Sequence, residues 1–234
     1  METRAADSRK LALRALLLLV PVPTLGALCA FVWAPGPIGQ AIYFAGKLWL
    51  VGLPLYWRLR VDRQPLSLSP LAPGRRLPGL ALGLLLGAFM AAVVFGAFTA
   101  LGETWIDLDR LREAERAAGL TDATRFIAFA AYLILINSAV EEFVWRWFCL
   151  RHCAALLPAP LAVVASSLFF TLHHAAFFSV QFDPRTAALA SFGVFAAGCI
   201  WSALYSRFRS IWPGYISHVG ADIAGLWIGW ELLF

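Results

Sequence analysis

The chain has 234 residues, 61% hydrophobic and 14% charged, with a mean hydropathy of +0.74. A soluble domain carries roughly 25% charged and about 45–50% apolar residues, so a water-soluble globule is excluded and one polytopic membrane domain is expected. The formal charge of +5 is not a nucleic-acid signal, because the cations sit in short loops between apolar runs and form no patch with interleaved aromatics.

Arg4, Arg9, Lys10 and Arg14 precede the first apolar run, the arrangement of a signal segment. Pro21 and Pro23 interrupt its hydrophobic region, and Leu28 before Cys29 is too large for lipoprotein processing, so this run reads as an uncleaved span. Apolar runs of about 20 residues place seven spans near 12–33, 38–57, 78–101, 125–148, 160–181, 186–205 and 211–233. The fold class expected is therefore all-α, with two integrated parts: residues 1–124 as N-terminal helices with an interfacial segment, and 125–234 as a C-terminal helical core.

Between spans two and three, residues 58–77 combine five arginines with several prolines and read as a loop. The stretch 102–124 differs. Its acids alternate with Arg110, Arg112 and Arg116, while Leu108, Leu111 and Ala118 give a partial apolar stripe, the pattern of a short interfacial helix. With the N-terminus inside, twelve loop cations lie inside and five outside. The positive-inside rule then sets the N-terminus in the cytoplasm and the C-terminus outside. Lys10 and Lys47 are the only lysines, an arginine bias that fits a bacterial plasma membrane. Cys29, Cys149, Cys153 and Cys199 lie in or beside apolar runs and are expected to act as small hydrophobes. No repeat, phosphate loop or cofactor motif is present, so no cofactor is expected.

Function is sought among polar residues inside spans, where an ionisable side chain costs on the order of 3 kcal/mol. Span four holds Glu141, Glu142 and Arg146. Glu142 and Arg146 are four residues apart on one helical face and can pair. Glu141 points about 100° away and is left as a candidate general base. These three could instead simply hold spans together. Span five carries His173 and His174, and span seven carries His218 one turn before Asp222. Taken from the expected cytoplasmic ends at about 1.5 Å per residue, Glu141 and His218 lie about 10 Å deep, Asp222 about 16 Å and His174 about 21 Å. Three spans thus offer acid, base and hydrogen-bond groups to one pocket. Such groups can activate water and stabilise an oxyanion, the chemistry of peptide hydrolysis. Signatures of zinc, serine and aspartyl membrane proteases are missing from the sequence. Glu141, His174, His218 and Asp222 are competent metal ligands, but their dispersed spacing is no metal motif. Lys47, in span two, has no evident partner.

These residues resemble the motifs of the CPBP intramembrane proteases, which include type II CAAX prenyl endopeptidases and bacterial Abi-type proteins. Glu-Glu-x-x-x-Arg is Glu141 to Arg146, Phe-x-x-x-His is Phe170 to His174, and His-x-x-x-Asn/Asp is His218 to Asp222. The resemblance implies a glutamic endopeptidase in which Glu141 and His174 activate water and His218 and Asp222 stabilise the oxyanion, with Glu142 and Arg146 in support. Asp222 stands where asparagine is more usual, and an ionised carboxylate cannot donate, so it is alternatively an orienter of His218. Phe169 to His173 also fits the second motif. The implied partner is a membrane-associated protein or peptide, a leader, bacteriocin or C-terminal tail. A non-catalytic scaffold or immunity factor of the same fold, a metal-dependent membrane protease and a proton-coupled carrier are the alternatives. The aromatics near the motifs, Trp145, Trp147, Phe148, Phe177, Phe178, Trp201, Trp212 and Trp227, are read first as interface anchors and second as a groove lining.

Overall fold

The computed structural model describes the backbone of residues 2–67, 69–105, 107–117 and 119–234, and within these the side chains outside 2–6, 103–105, 111, 114, 115 and 117. All regular structure among the described residues is helical. The helices are α1 (Asp7–Trp33), α2 (Pro37–Val61) and α3 (Pro73–Gly102), α4 (Leu108–Ala117), α5 (Ala123–Leu156), α6 (Ala159–Gln181) and α7 (Pro184–Phe208), and α8 (Trp212–Leu233).

Six of them, α1 to α3 and α5 to α7, are long and apolar enough to cross a membrane. The expected seventh span is α8, a helix of 22 residues that is not among those six. Its length suffices, but His218, Asp222 and Glu231 dilute its hydropathy. Arginines on helix-end carbonyls show that it runs the full depth of the bundle. At one end Arg75 Nη1 donates to Arg207 O (2.9 Å) and Arg9 Nη2 to Leu156 O (3.5 Å). At the other, Arg110 Nη2 donates to Val180 O (3.4 Å) and Arg112 Nε to Leu232 O (3.3 Å). The C-terminal ends of α5 and α7 thus lie at one end, and those of α6 and α8 at the other.

Pro21 begins a fresh helical run inside α1 rather than ending it, as expected for a proline whose missing N–H falls in a first turn. The segment between α3 and α5 does contain a short helix, α4, whose N-terminus is capped by Asp107 Oδ1 accepting from Arg110 N at 3.0 Å. Of the expected apolar stripe, Ala118 and the Leu111 side chain lie outside the described residues.

Large apolar side chains such as Ile38, Leu77, Leu85 and Phe192 stand on the outer surface, where lipid is their solvent. The interior holds Trp145, Phe148 and Phe170 together with Glu142 and Arg146, both 0% exposed. Close helix approach is made by glycine. A Cβ on Gly220 of α8 would meet the Gly87 backbone of α3 at 2.7 Å, and one on Gly83 would meet Pro213 O at 2.7 Å. Small residues let membrane helices touch backbone to backbone, and this contact fixes the height of α8, and so of His218, against the bundle.

Candidate active site

Glu141 belongs to α5, which is longer than expected. The helix continues to Leu156, past the expected end near 148. Counted from that end, Glu141 is about 22 Å along its helix, and His174, counted from Ala159, is about 22 Å along α6. The apparent difference in depth came from ending span four too early. Inside α5, Ser138–Glu141 is ordinary α-helix between two π-helical stretches, Tyr132–Asn137 and Glu142–Leu150. Such wide turns recur at functional sites because they leave carbonyls and side chains off the regular ladder.

Glu142 and Arg146 pair as expected, with Nη1 and Oε1 3.2 Å apart. The guanidinium is also flanked by rings, 4.4 Å from the Phe170 centroid and 4.9 Å from that of Trp201. Ring faces are electron-rich and partly offset the desolvation of a cation. Gly214 is required beside this pair, since a Cβ there would collide with the Glu142 carboxylate.

Glu142 extends further. His218 Nδ1 lies 3.2 Å from Glu142 Oε1, and because a carboxylate only accepts, Nδ1 carries the proton. The other nitrogen, Nε2, is 3.7 Å from both Glu141 Oε2 and Asp222 Oδ1. Stacking on Trp201 at 3.9 Å between centroids holds the ring plane, and Trp201 Nε1 in turn donates to Ser217 Oγ at 3.2 Å. Asp222 is held by Ser138, whose Oγ is 2.6 Å from Asp222 Oδ2 and 2.8 Å from Leu133 O. The hydroxyl has one proton for these two acceptors.

On α6, His174 Nδ1 is 3.0 Å from Phe170 O. The carbonyl accepts, so Nδ1 is protonated and Nε2 keeps its lone pair. His173 stacks on Trp145, with centroids 5.3 Å apart and planes 11° apart. Ligand atoms of Glu141, His173 and His174 all lie within 4.8 Å of one another, so both histidines of the duplicated motif reach Glu141. These three could hold a metal ion with a position left open, as catalytic zinc requires. His174 has the backbone partner that steadies a ligating ring, whereas His173 Nδ1 is buried with no hydrogen-bond partner. His218 and Asp222, the other two candidate ligands, are not part of that group.

The structure therefore gathers all six candidate residues, Glu141, Glu142, Arg146, His174, His218 and Asp222, between α5, α6 and α8. It also brings residues that the sequence left without a role. Asn137, one turn before Glu141, accepts from Lys47 Nζ at 3.2 Å and its side chain also reaches the Glu141 carboxylate. The aromatics divide in a way their positions did not disclose. Trp145, Trp201, Trp147 and Phe148 are buried, the first two against site histidines, while Trp227 is 56% exposed. The interface-anchor reading fails for those four, which pack inside the bundle.

Comparison with curated proteins and with solved structures finds no match. Residues 123–224 match the family described as type II CAAX prenyl endopeptidase Rce1-like. The match takes in all of α5, α6 and α7 and α8 as far as Ala224, and with them every candidate residue. Over that segment the chain is similar to the CAAX-type intramembrane endopeptidases.

Proposed function

We propose that the protein cleaves a membrane-associated protein or peptide by a glutamic mechanism, with Glu141 and His174 activating water and His218 receiving the oxyanion. The observation that carries this reading is the position of Glu141, buried, with His218 Nε2 at 3.7 Å and ligand atoms of His173 and His174 within 4.8 Å. Water bound between Glu141 and His174 Nε2 gives one proton to the carboxylate as its oxygen attacks the carbonyl carbon. The carbonyl π pair moves onto oxygen, and His218 Nε2–H donates to it. Donation requires the ring to carry both protons, a cation matched by carboxylates at each nitrogen. Collapse of the tetrahedral intermediate breaks the C–N bond, and the proton held by Glu141 passes to the leaving amine. Asp222, tied to Ser138, orients His218, while Glu142 and Arg146 fix its other nitrogen.

A bacterial plasma membrane with the N-terminus in the cytoplasm and the C-terminus outside fits the cation count. In this reading residues 125–234 form the catalytic core and 1–124 flank it. The substrate class is a leader, a bacteriocin or a C-terminal tail. Membrane-protein termini compared between cells with wild-type protein and with Glu141→Gln or His174→Ala test the reading. Termini present only with wild type are expected, at equal membrane levels of all three proteins. The same termini in every strain would overturn it.

The close approach of Glu141, His173 and His174 favours a second reading, metal-assisted hydrolysis. Chelation of the purified enzyme discriminates. Unchanged activity belongs to the glutamic mechanism, and loss restored by zinc belongs to the metal one.

A further inference from the structure

Lys47 lies outside the matched segment, on α2, 90 residues from its hydrogen-bond partner. It sits ten residues into a helix otherwise uncharged until Arg58, where an unpaired ammonium is expensive. Something within the bundle must compensate it. One N–H is given to Asn137 Oδ1 at 3.2 Å, and the ammonium lies 5.6 Å from the Tyr43 ring centroid. Neither partner carries a charge. The charge of Glu141 favours the Lys47 cation, and Asn137 stands one turn before that carboxylate on α5.

An amide is suited to this place. Its oxygen accepts from the ammonium, which leaves its nitrogen as the donor for a carboxylate, so that two such bonds would point one way and polarise each other. The spacing of Asn137 and Glu141 puts them on one face of α5. The other carboxylates already have partners: Glu142 has Arg146 and His218, and Asp222 has Ser138. Glu141, with His218 Nε2 at 3.7 Å, must as a base also keep room for water, and an ammonium in direct contact would block it.

We propose that Lys47 is a positioning residue for the reaction, acting through Asn137 to hold Glu141 oriented without entering the space where water binds. The inference rests on the glutamic reading above. It also makes α2, from the part of the chain outside the family match, a working component of the site.

The test uses a fluorogenic peptide copied from the most abundant Glu141-dependent junction, with full-length enzyme in detergent micelles. Lys47→Met is expected to lower kcat at least about tenfold, a share of the roughly 10²–10⁴ that a general base contributes, with KM within about twofold. Lys47→Arg, which keeps the charge, is expected within about threefold of wild type. Asn137→Leu is expected to match Lys47→Met, and the double variant to be no worse than either single one, since both cut one chain. Wild-type kcat in Lys47→Met, multiplicative losses in the double variant, or an Arg variant as impaired as Met would each overturn the proposal. If Lys47→Met does not accumulate in membranes, Lys47→Arg and Asn137→Leu decide by the same criteria. A Glu141→Gln enzyme that retains activity removes the glutamic reading and this inference with it, whereas an inactive one beside a fully active Lys47→Met removes the inference alone.

Discussion

Cations at the ends of the bundle and cations in its middle are the same residue types under different physics. Arg75, Arg110 and Arg112 each reach a single helix-end carbonyl at 2.9–3.4 Å, beside water that can replace any bond they lose. Arg146 is 0% exposed and shares Glu142 with His218, with Phe170 and Trp201 against its guanidinium. At the ends a charge sets topology and closes a helix. In the middle each charge is a condition for the next, because no solvent substitutes for a missing partner.

The sharpest way to break that contrast is to remove one member of the central pair. Glu142→Ala strands the Arg146 cation and frees His218 Nδ1. Breaking a buried pair costs about 3–5 kcal/mol, so a large drop in thermal midpoint of the purified protein is expected, together with loss of cleavage. Arg75→Ala, by contrast, is expected to stay within about 0.5 kcal/mol of wild type. Equal effects of the two would mean that the central pair is solvated and that burial does not separate the two regions.

A finer division runs through the duplicated histidines. Both lie near Glu141, but their surroundings differ. His174 has its tautomer fixed by Phe170 O at 3.0 Å, whereas His173 is held by stacking on Trp145. His174→Ala is expected to remove about 10²-fold or more of the rate, and His173→Ala less than about tenfold, measured as kcat on the same peptide. The reverse order would transfer the catalytic role to His173 and place it with the metal reading, in which both rings are ligands.

The architecture was legible where hydropathy decides it, and the candidate residues were legible because each is costly in an apolar run. Glu141, His174 and His218 stood out for that reason alone. What stayed hidden were partners whose own cost is small. Ser138 and Asn137 are unremarkable in a membrane helix, and their roles depend on which way α5 turns between its two π stretches. Trp145 and Trp201 were indistinguishable from Trp227 because a tryptophan near a span end reads alike whether it meets lipid or a histidine. Lys47 was visible as an anomaly, yet its partner is on another helix, and no spacing within one helix encodes that contact. Span four ended too early because Arg151 resembles a loop cation. It pairs with Asp62 at 2.7 Å, and the helix runs on past it to Leu156.

The smallest expected effect lies at the far end from Arg75, at the N-cap of α7. Asp183 Oδ1 accepts from Arg185 N at 2.9 Å and Thr186 N at 3.2 Å, and Oδ2 from the Thr186 hydroxyl. The hydroxyl bond first, and then the backbone donors, hold its carboxyl below the usual aspartate range. A folded-state carboxyl depressed in this way adds stability above its ordinary value, and that contribution disappears as pH falls through the folded one. Asp183→Ala is therefore expected to lower the thermal midpoint slightly at neutral pH, with the gap from wild type narrowing toward acid and cleavage unaffected. A gap that persists unchanged at low pH would assign the effect to helix geometry rather than to charge. Loss of activity would join this end of α7 to the central network, and the division between solvated ends and an interdependent middle would no longer hold.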